Sequence, residues 1–399
     1  PCQDAMILVG ESQRVAGSCD LGGRMSRTES ERPCESGGGR VDAVVLAAVT
    51  DERESQRFPM VEMPSIRLPI YRDYKLFVGG TVQIERAIAH LGYTPNLFHL
   101  HTPCPLGRVA LRWAREHGIP AIATYHTHFP SYLRHHRLGV LRPLIEKSLV
   151  EFYRRCDCVL VPSQILRDEL QQWGIPARYL PHGTDTALFH PRWASHRWRQ
   201  RLGIGEQQCV LLYVGRLVWE KNLRILVDVW NRLDRRQFAM VIVGVGPIES
   251  TLRRLMPGAQ FLGYQAGVEL AQSYASSDVF VFPSDTETFG NVTLEALASG
   301  LPCVVADSPG SSELVRHAAT GFRIAPHDGA GFAGAIEALA GLSPDRRLLW
   351  RWRARLDAER YQWHSVCAEL FSIYREVATP RAAGLMPDGL LHTASPSSP

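Results

Sequence analysis

The strongest constraint on this chain is a series of short, uninterrupted apolar runs separated by stretches of helical period. A first set comprises VDAVVLAAV (Val41–Val49), NLFHL (Asn96–Leu100), AIATY (Ala121–Tyr125), CVLVP (Cys158–Pro162) and RYLP (Arg178–Pro181). A second set comprises CVLLYV (Cys209–Val214), MVIVG (Met240–Gly244), QFLG (Gln260–Gly263), DVFVFP (Asp278–Pro283) and PCVVA (Pro302–Ala306). A strand that is apolar at every position needs cover on both faces, and the intervening helices supply it. Such strands therefore run parallel in wound sheets. Two successive series imply an α/β chain with two doubly wound, Rossmann-like domains. The joint falls in PHGTDTALFHP (Pro181–Pro191), which assigns residues 41–185 to one domain and 186–377 to the other. Ligands of such sheets bind beyond the carboxyl ends of the strands, so the cleft between the domains is the expected site.

Composition excludes several classes. At 399 residues, 45% hydrophobic and 21% charged, the chain can bury a sizeable core in each domain. No apolar run reaches the roughly 18 residues of a membrane-spanning helix, and no secretory leader is visible. A net charge of +4 is small for this length and argues against a dedicated nucleic-acid binder. The nine cysteines lack metal-type spacing and read as reduced thiols of a cytosolic protein. Between Ser18 and Arg40 the only aliphatic or Met side chains are Leu21 and Met25. Residues 1–40 are therefore expected to be disordered, as is the Pro-, Ser- and Gly-rich tail 378–399. The chain opens without Met, which reads as a fragment or a misplaced gene boundary.

Two motifs carry chemistry. Directly after CVLLYV come Gly215, Arg216 and, a few residues on, Lys221, followed by an apolar helical stretch. Helix N–H groups, the helix dipole and two cations would converge there on one anion, a diphosphate being the obvious guest. The alternative is a pair of solvated cations on a loop. After DVFVFP comes SDTETFGN and then the helix VTLEALASG. Glu287 falls in the loop and Glu295 about one turn into the helix. Phe289, Gly290 and Asn291 offer backbone donors at the helix entrance, where Gly290 lets phosphate or sugar oxygens approach. A carboxylate inside the helix can accept two hydrogen bonds from a vicinal diol such as a ribose. The alternative is a capped helix with solvated acids. Gly244 and Gly246 in VGVGP hint at a dinucleotide fingerprint, but the sixth position is Glu249 rather than Gly. These glycines are expected instead to let a nucleotide base approach.

GRLVWEKN, VGVGP, ETFGNVTLEALASG and PCVVADSPGSSELVRHAATGF resemble the C-terminal half of retaining GT-B glycosyltransferases of family four. YHTHFPSYLRHHRLG (Tyr125–Gly139) and VPSQILRDELQQWG (Val161–Gly174) resemble the N-terminal half of its lipid-directed mannosyl- and sulfoquinovosyltransferase branch. The resemblance runs from about Ile66 to Val377. It implies a GT-B fold, with two Rossmann-like domains facing across a cleft and the last helix packing back on the N-terminal domain. It implies that Arg216 and Lys221 hold the donor diphosphate, Glu287 the donor sugar and Glu295 the ribose, and that His126 lies near the reacting centre. One departure is clear. Family members open with a strand and a glycine-rich loop, and neither Gly22–Gly23 nor Gly37–Gly39 follows an apolar strand. The first sheet is accordingly expected to lack its first strand.

Other signals have plainer readings. His99, His101, His126 and His128 suggest metal ligands, but no Cys or carboxylate completes a set, so no metal is expected. Leu133–Val150 combines four cations with apolar residues and suits either an anionic membrane surface or a helix on its own sheet. Arg346, Arg347, Arg351, Arg353 and Arg355 read as a solvated helix face. The reading that follows is a metal-independent retaining hexosyltransferase without a resident cofactor. Its donor is a UDP-sugar or GDP-mannose, its acceptor a lipid or glycan, and its place the cytoplasm or the inner face of the membrane. The competing reading is a nucleotide-sugar-binding protein without turnover.

Overall fold

Apolar runs become buried strands in the computed structural model, which describes residues 5–10, 42–48, 60–67, 75–91, 95–126 and 142–379. In the N-terminal half the strands are β1 (Ala5–Gly10), β2 (Asp42–Ala48), β3 (Met60–Met63), β4 (Ser65–Arg67), β5 (Lys75–Phe77), β6 (Leu97–Leu100), β7 (Ala121–Thr124), β8 (Cys158–Val161) and β9 (Ala177–Tyr179). Seven of them form one sheet in the order β3-β2-β1-β6-β7-β8-β9, while β4 and β5 pair separately. The C-terminal half carries β10 (Cys209–Val214), β11 (Phe238–Val243), β12 (Gln260–Phe261), β13 (Val279–Phe282), β14 (Cys303–Ala306) and β15 (Gly321–Ile324). These form a six-stranded sheet, β12-β11-β10-β13-β14-β15, parallel throughout. Strands buried at nearly every position, such as β10 and β13, explain why the sheet is parallel and wound by helices.

The expectation for residues 1–40 is corrected at its start. Ala5–Gly10 is a strand inside the first sheet, antiparallel to both β2 and β6, with Met6 opposite Leu46 and Leu100. The run Met6–Val9 is apolar enough for an inner strand, and the polar stretch after Ser18 masked it. The glycines at 22–23 and 37–39, residues 380–399, His128 and the first part of Leu133–Val150 lie outside the described residues. The solvated arginine face is corrected at two positions, whereas Arg346 and Arg347 are exposed as expected. Arg351 donates to the carbonyls of Ser277 and Ala275, and Arg355 to those of Thr186, Phe189 and Ala298. An i, i+4 pair on the inner face of the helix Pro344–Ala358 thus satisfies two carbonyls of the first crossing and three at or beyond the helix ends at Ala275 and Ala298, where cations are favoured.

Two chain crossings join the halves. The first, after Leu180, carries Thr184, whose N–H donates to Tyr361 O at 2.7 Å on the second crossing. The chain then returns, and the helix Trp363–Ala378 lays Leu370, Phe371, Ile373 and Tyr374 against Leu97, Ile122 and Leu160 of the first sheet. A further tie spans the halves. The Glu313 carboxylate accepts from Ser163 Oγ and from Gln164 N at 2.6 Å, at the N-terminus of the helix Gln164–Gln172. A carboxylate there satisfies otherwise unpaired N–H groups and complements the helix dipole.

Candidate active site

The strand order of the second sheet fixes where its loops meet. With β10 and β13 adjacent and their onward connections diverging, the loops after these two strands flank a crevice at their carboxyl ends. The loop after β10 carries Gly215 and Arg216 and ends in a short turn, Trp219–Lys221. The loop after β13 carries Glu287, and the two meet: Lys221 Nζ is paired with Glu287 Oε1, which also accepts from Ser284 Oγ at 2.9 Å. Arg216 is exposed, and its guanidinium has neither a hydrogen bond nor an ion pair among the described residues. One cation is therefore committed to a carboxylate and the other is open to an anion.

Beside these loops lies a cavity of about 400 Å³. Gly215, Arg216, Gly244, Asn291 and Glu295 line it, together with Thr184 from the crossing and Trp363. Glu295 accepts a hydrogen bond from Tyr274 Oη at 2.9 Å. Burial pushes its carboxyl up to about 7, and the Tyr274 bond only partly opposes that shift. The helix Asn291–Ala298 begins after Gly290, which has φ +96° and no side chain to cap the N–H groups of the first turn. A Cβ at Gly290 would lie 2.3 Å from Ser311 Oγ, so packing as well as backbone conformation demands glycine there. Gly244 lines the cavity, and both Gly244 and Gly246 have a packing reason of their own. A Cβ on Gly244 would sit 1.9 Å from the Gly215 carbonyl oxygen, and one on Gly246 2.2 Å from that of Leu217. Their lack of side chains lets two loops lie backbone against backbone, joined by Leu217 N to Val245 O at 2.9 Å.

The first sheet contributes histidines. His99 and His101 stack with centroids 4.5 Å apart, and His101 and His126 stack at 5.2 Å and 9°. His101 Nδ1 is 2.9 Å from His126 Nε2. His182, from the crossing, follows at 5.7 Å from His126 and 5.0 Å from Phe289. These rings form a column rather than converging on a point. Among the described residues no group of three or more His, Cys, Asp or Glu is arranged to hold a metal ion. Burial, reinforced by the neighbouring imidazoles, holds His101 and His126 well below the usual histidine range. His99, bonded to Tyr374 Oη and Thr124 Oγ1 at 2.5 Å each, is lowered to about 3, chiefly by burial. The second half reaches this column directly, since Thr288 Oγ1 donates to His126 O at 3.0 Å.

Residues 38–188 match the family described as Glycosyltransferase Family 4, and residues 208–341 match Glycosyl transferases group 1. A GDP-mannose-dependent alpha-mannosyltransferase of Corynebacterium glutamicum is 30% identical over 344 residues, covering 84% of this chain and 81% of the relative. The chain belongs to glycosyltransferase family four. Another relative of this glycosyltransferase, the sulfoquinovosyl transferase SQD2 of Arabidopsis thaliana, is 31% identical over 341 residues. That match covers 82% of the chain and 66% of the relative. The fold matches a sucrose-phosphate synthase of Thermosynechococcus elongatus with a TM-score of 0.69 at 21% identity. It spans 83% of this chain and 88% of that one. The glycosyltransferase therefore has the GT-B architecture of two Rossmann-like sheets.

The glycosyltransferase brings most of the residues expected from sequence to one crevice. Arg216, Lys221, Glu287, Gly215, Gly244, Asn291 and Glu295 surround or adjoin the cavity, and His126 faces Thr288 across the cleft. Phe289 is buried and packs on His182 and Tyr361 rather than lining the cavity. Sequence reasoning missed Tyr274, Thr184, His182 and Trp363. The segment PHGTD reads as a joint, and its place beside the site follows only once the last helix has returned across it. No helix among the described residues is long and apolar enough to cross a membrane.

Proposed function

We propose that the chain transfers a hexosyl group from a UDP- or GDP-linked sugar to a lipid or glycan acceptor with retention of configuration. The observation that carries this is the exposed, unpaired Arg216 beside the uncapped N-terminus of the helix Asn291–Ala298, both lining the cavity that contains Glu295. A departing diphosphate needs its developing charge stabilised, and a fixed cation with aligned N–H groups does so without reorganising. Lys221 adds a second positive charge, steadied by Glu287. That pairing suits Glu287 to accept hydroxyls of the donor sugar rather than to attack it. A same-face route follows, in which the leaving phosphate takes the acceptor's proton as the new glycosidic bond forms. With side chains supplying the positive charge, divalent ions are dispensable. Glu295 accepts the ribose hydroxyls, and His126 lies at the sugar end. A peripheral contact with anionic membrane is supported by the helix Arg142–Arg154, which exposes Leu144 and Lys147.

A panel of UDP- and GDP-sugars tests the reading. A true donor at 100 times its dissociation constant raises stability by about 2.7 kcal/mol, and the same donor is then followed for transfer with and without chelator. Absence of stabilisation by every member sinks the proposal. Binding without turnover is the second reading, and one observation favours it. Because β1 runs antiparallel, Gly10 lies near Leu97 rather than Leu100, so the chain leaves β1 at the end of the sheet remote from the cleft. A donor that binds yet is never transferred or hydrolysed would decide for it.

A further inference from the structure

The crossing between the domains carries two polar atoms that nothing among the described residues satisfies: His182 Nε2 and Thr184 Oγ1 are buried without a hydrogen-bond partner. A buried donor or acceptor left unpaired bears its full desolvation cost, so two of them two residues apart call for a ligand. Their surroundings say which. Gly183, Thr184 and Asp185 line the cavity that also contains Glu295. The His182 ring is held between His126 of the first half and Phe289 of the second. Its Nδ1 lies 3.0 Å from Oδ1 of Asn291, the first residue of the helix whose N-terminus no side chain caps. A phenylalanine would fill the same aromatic column equally well, so the ring's nitrogens are what the stacking leaves unexplained.

We propose that His182 is a donor-contacting residue, its Nε2–H donating to a diphosphate oxygen at the N-terminus of the helix Asn291–Ala298, while Thr184 Oγ1 hydrogen-bonds the donor's ribose. This rests on the donor-site reading above. Burial holds the empty-site ring neutral, with the Asn291 bond opposing. When phosphate arrives, either Asn291 turns its amide and donates to Nδ1, or the ring takes up a proton and keeps Oδ1 as its acceptor. Nε2 carries a hydrogen in both cases. His126 and His101 stand in line with His182 on one side, and Asp185, Arg216 and Glu295 are the charged groups in the adjoining cavity.

Titration calorimetry of the full chain with UDP, GDP and the corresponding nucleosides tests this. His182→Phe keeps the column and removes both nitrogens, so diphosphate affinity should fall about tenfold with nucleoside affinity unchanged. His182→Gln, which restores an N–H donor, should recover part of the loss. Thr184→Val should weaken nucleoside and diphosphate equally. Unchanged diphosphate affinity in His182→Phe, or an equal loss for the nucleoside, overturns the assignment while leaving the donor site standing. Wild-type protein that binds neither UDP nor GDP overturns both.

Discussion

Glu295 and Arg216 show how differently two residues of one cavity behave. Glu295 titrates near pH 7 because burial disfavours its charge, so below that pH it is protonated and a poorer acceptor for ribose hydroxyls. Nucleoside diphosphate affinity should therefore climb between pH 6 and pH 8, and Glu295→Gln should weaken binding and flatten the climb. Stability runs the other way. A carboxyl whose folded value lies above its unfolded one favours folding below about pH 4.5, and that contribution is lost as pH rises towards 7. Glu295→Gln should thus gain on wild type in melting temperature at pH 8, and an unchanged difference across pH would refute the shift. Arg216 has no partner to abandon, so Arg216→Ala should cost donor affinity at least roughly tenfold with melting unaltered. Lys221→Ala should lose affinity and also about 1–3 kcal/mol of stability, because Glu287 keeps only Ser284. Equal melting temperatures for both variants would contradict the pairing. These four positions were legible in sequence because they fall in the loops after β10 and β13 or about one turn into the helix that follows β13. His182 was not, since its neighbours come from two parts of the chain, around His126 and Phe289–Asn291, that are distant from it and from each other.

At the scale of elements, two glycines make opposite predictions. Gly246 holds its loop against Leu217, so in Gly246→Ala the new Cβ meets a backbone oxygen at 2.2 Å that neither hydrogen-bonded loop can withdraw. A loss of about 1–3 kcal/mol is expected, with displacement of Arg216 lowering donor affinity as well. Gly334 lies within the helix Gly329–Ala340 with nothing within 4 Å of a Cβ, so Gly334→Ala should gain about 0.5–1 kcal/mol. Chemical denaturation of both variants checks the pair, and a stable Gly246→Ala would mean that the loops are not locked together. Continuous apolar runs located most strands, yet β15 went unread because its exposed Arg323 breaks the run. The inversion of β1 was equally hidden, for direction is set by pairing with β2 and β6 and not by composition.

The whole molecule depends on its last helix. Leu370, Phe371, Ile373 and Tyr374 cover one face of the first sheet, while Tyr361 and Trp363 brace the crossing that holds Gly183 and Thr184. Removal of everything after Gln362 should therefore damage the half that is distant in sequence: Leu97, Ile122 and Leu160 would face water, and limited proteolysis should cut the first half before the second. A truncated chain with a protease-resistant first half would disprove this. The same arrangement sets an order on the ribosome. The second half is completed by contiguous segments, but Leu97, Ile122 and Leu160 of the first sheet wait for the helix Trp363–Ala378, which emerges after that half. A nascent chain that has emerged as far as Gln362 would carry a finished late domain and an unfinished early one, the reverse of the usual sequence of maturation. During that interval the early sheet is the part of this protein that a chaperone would have reason to hold.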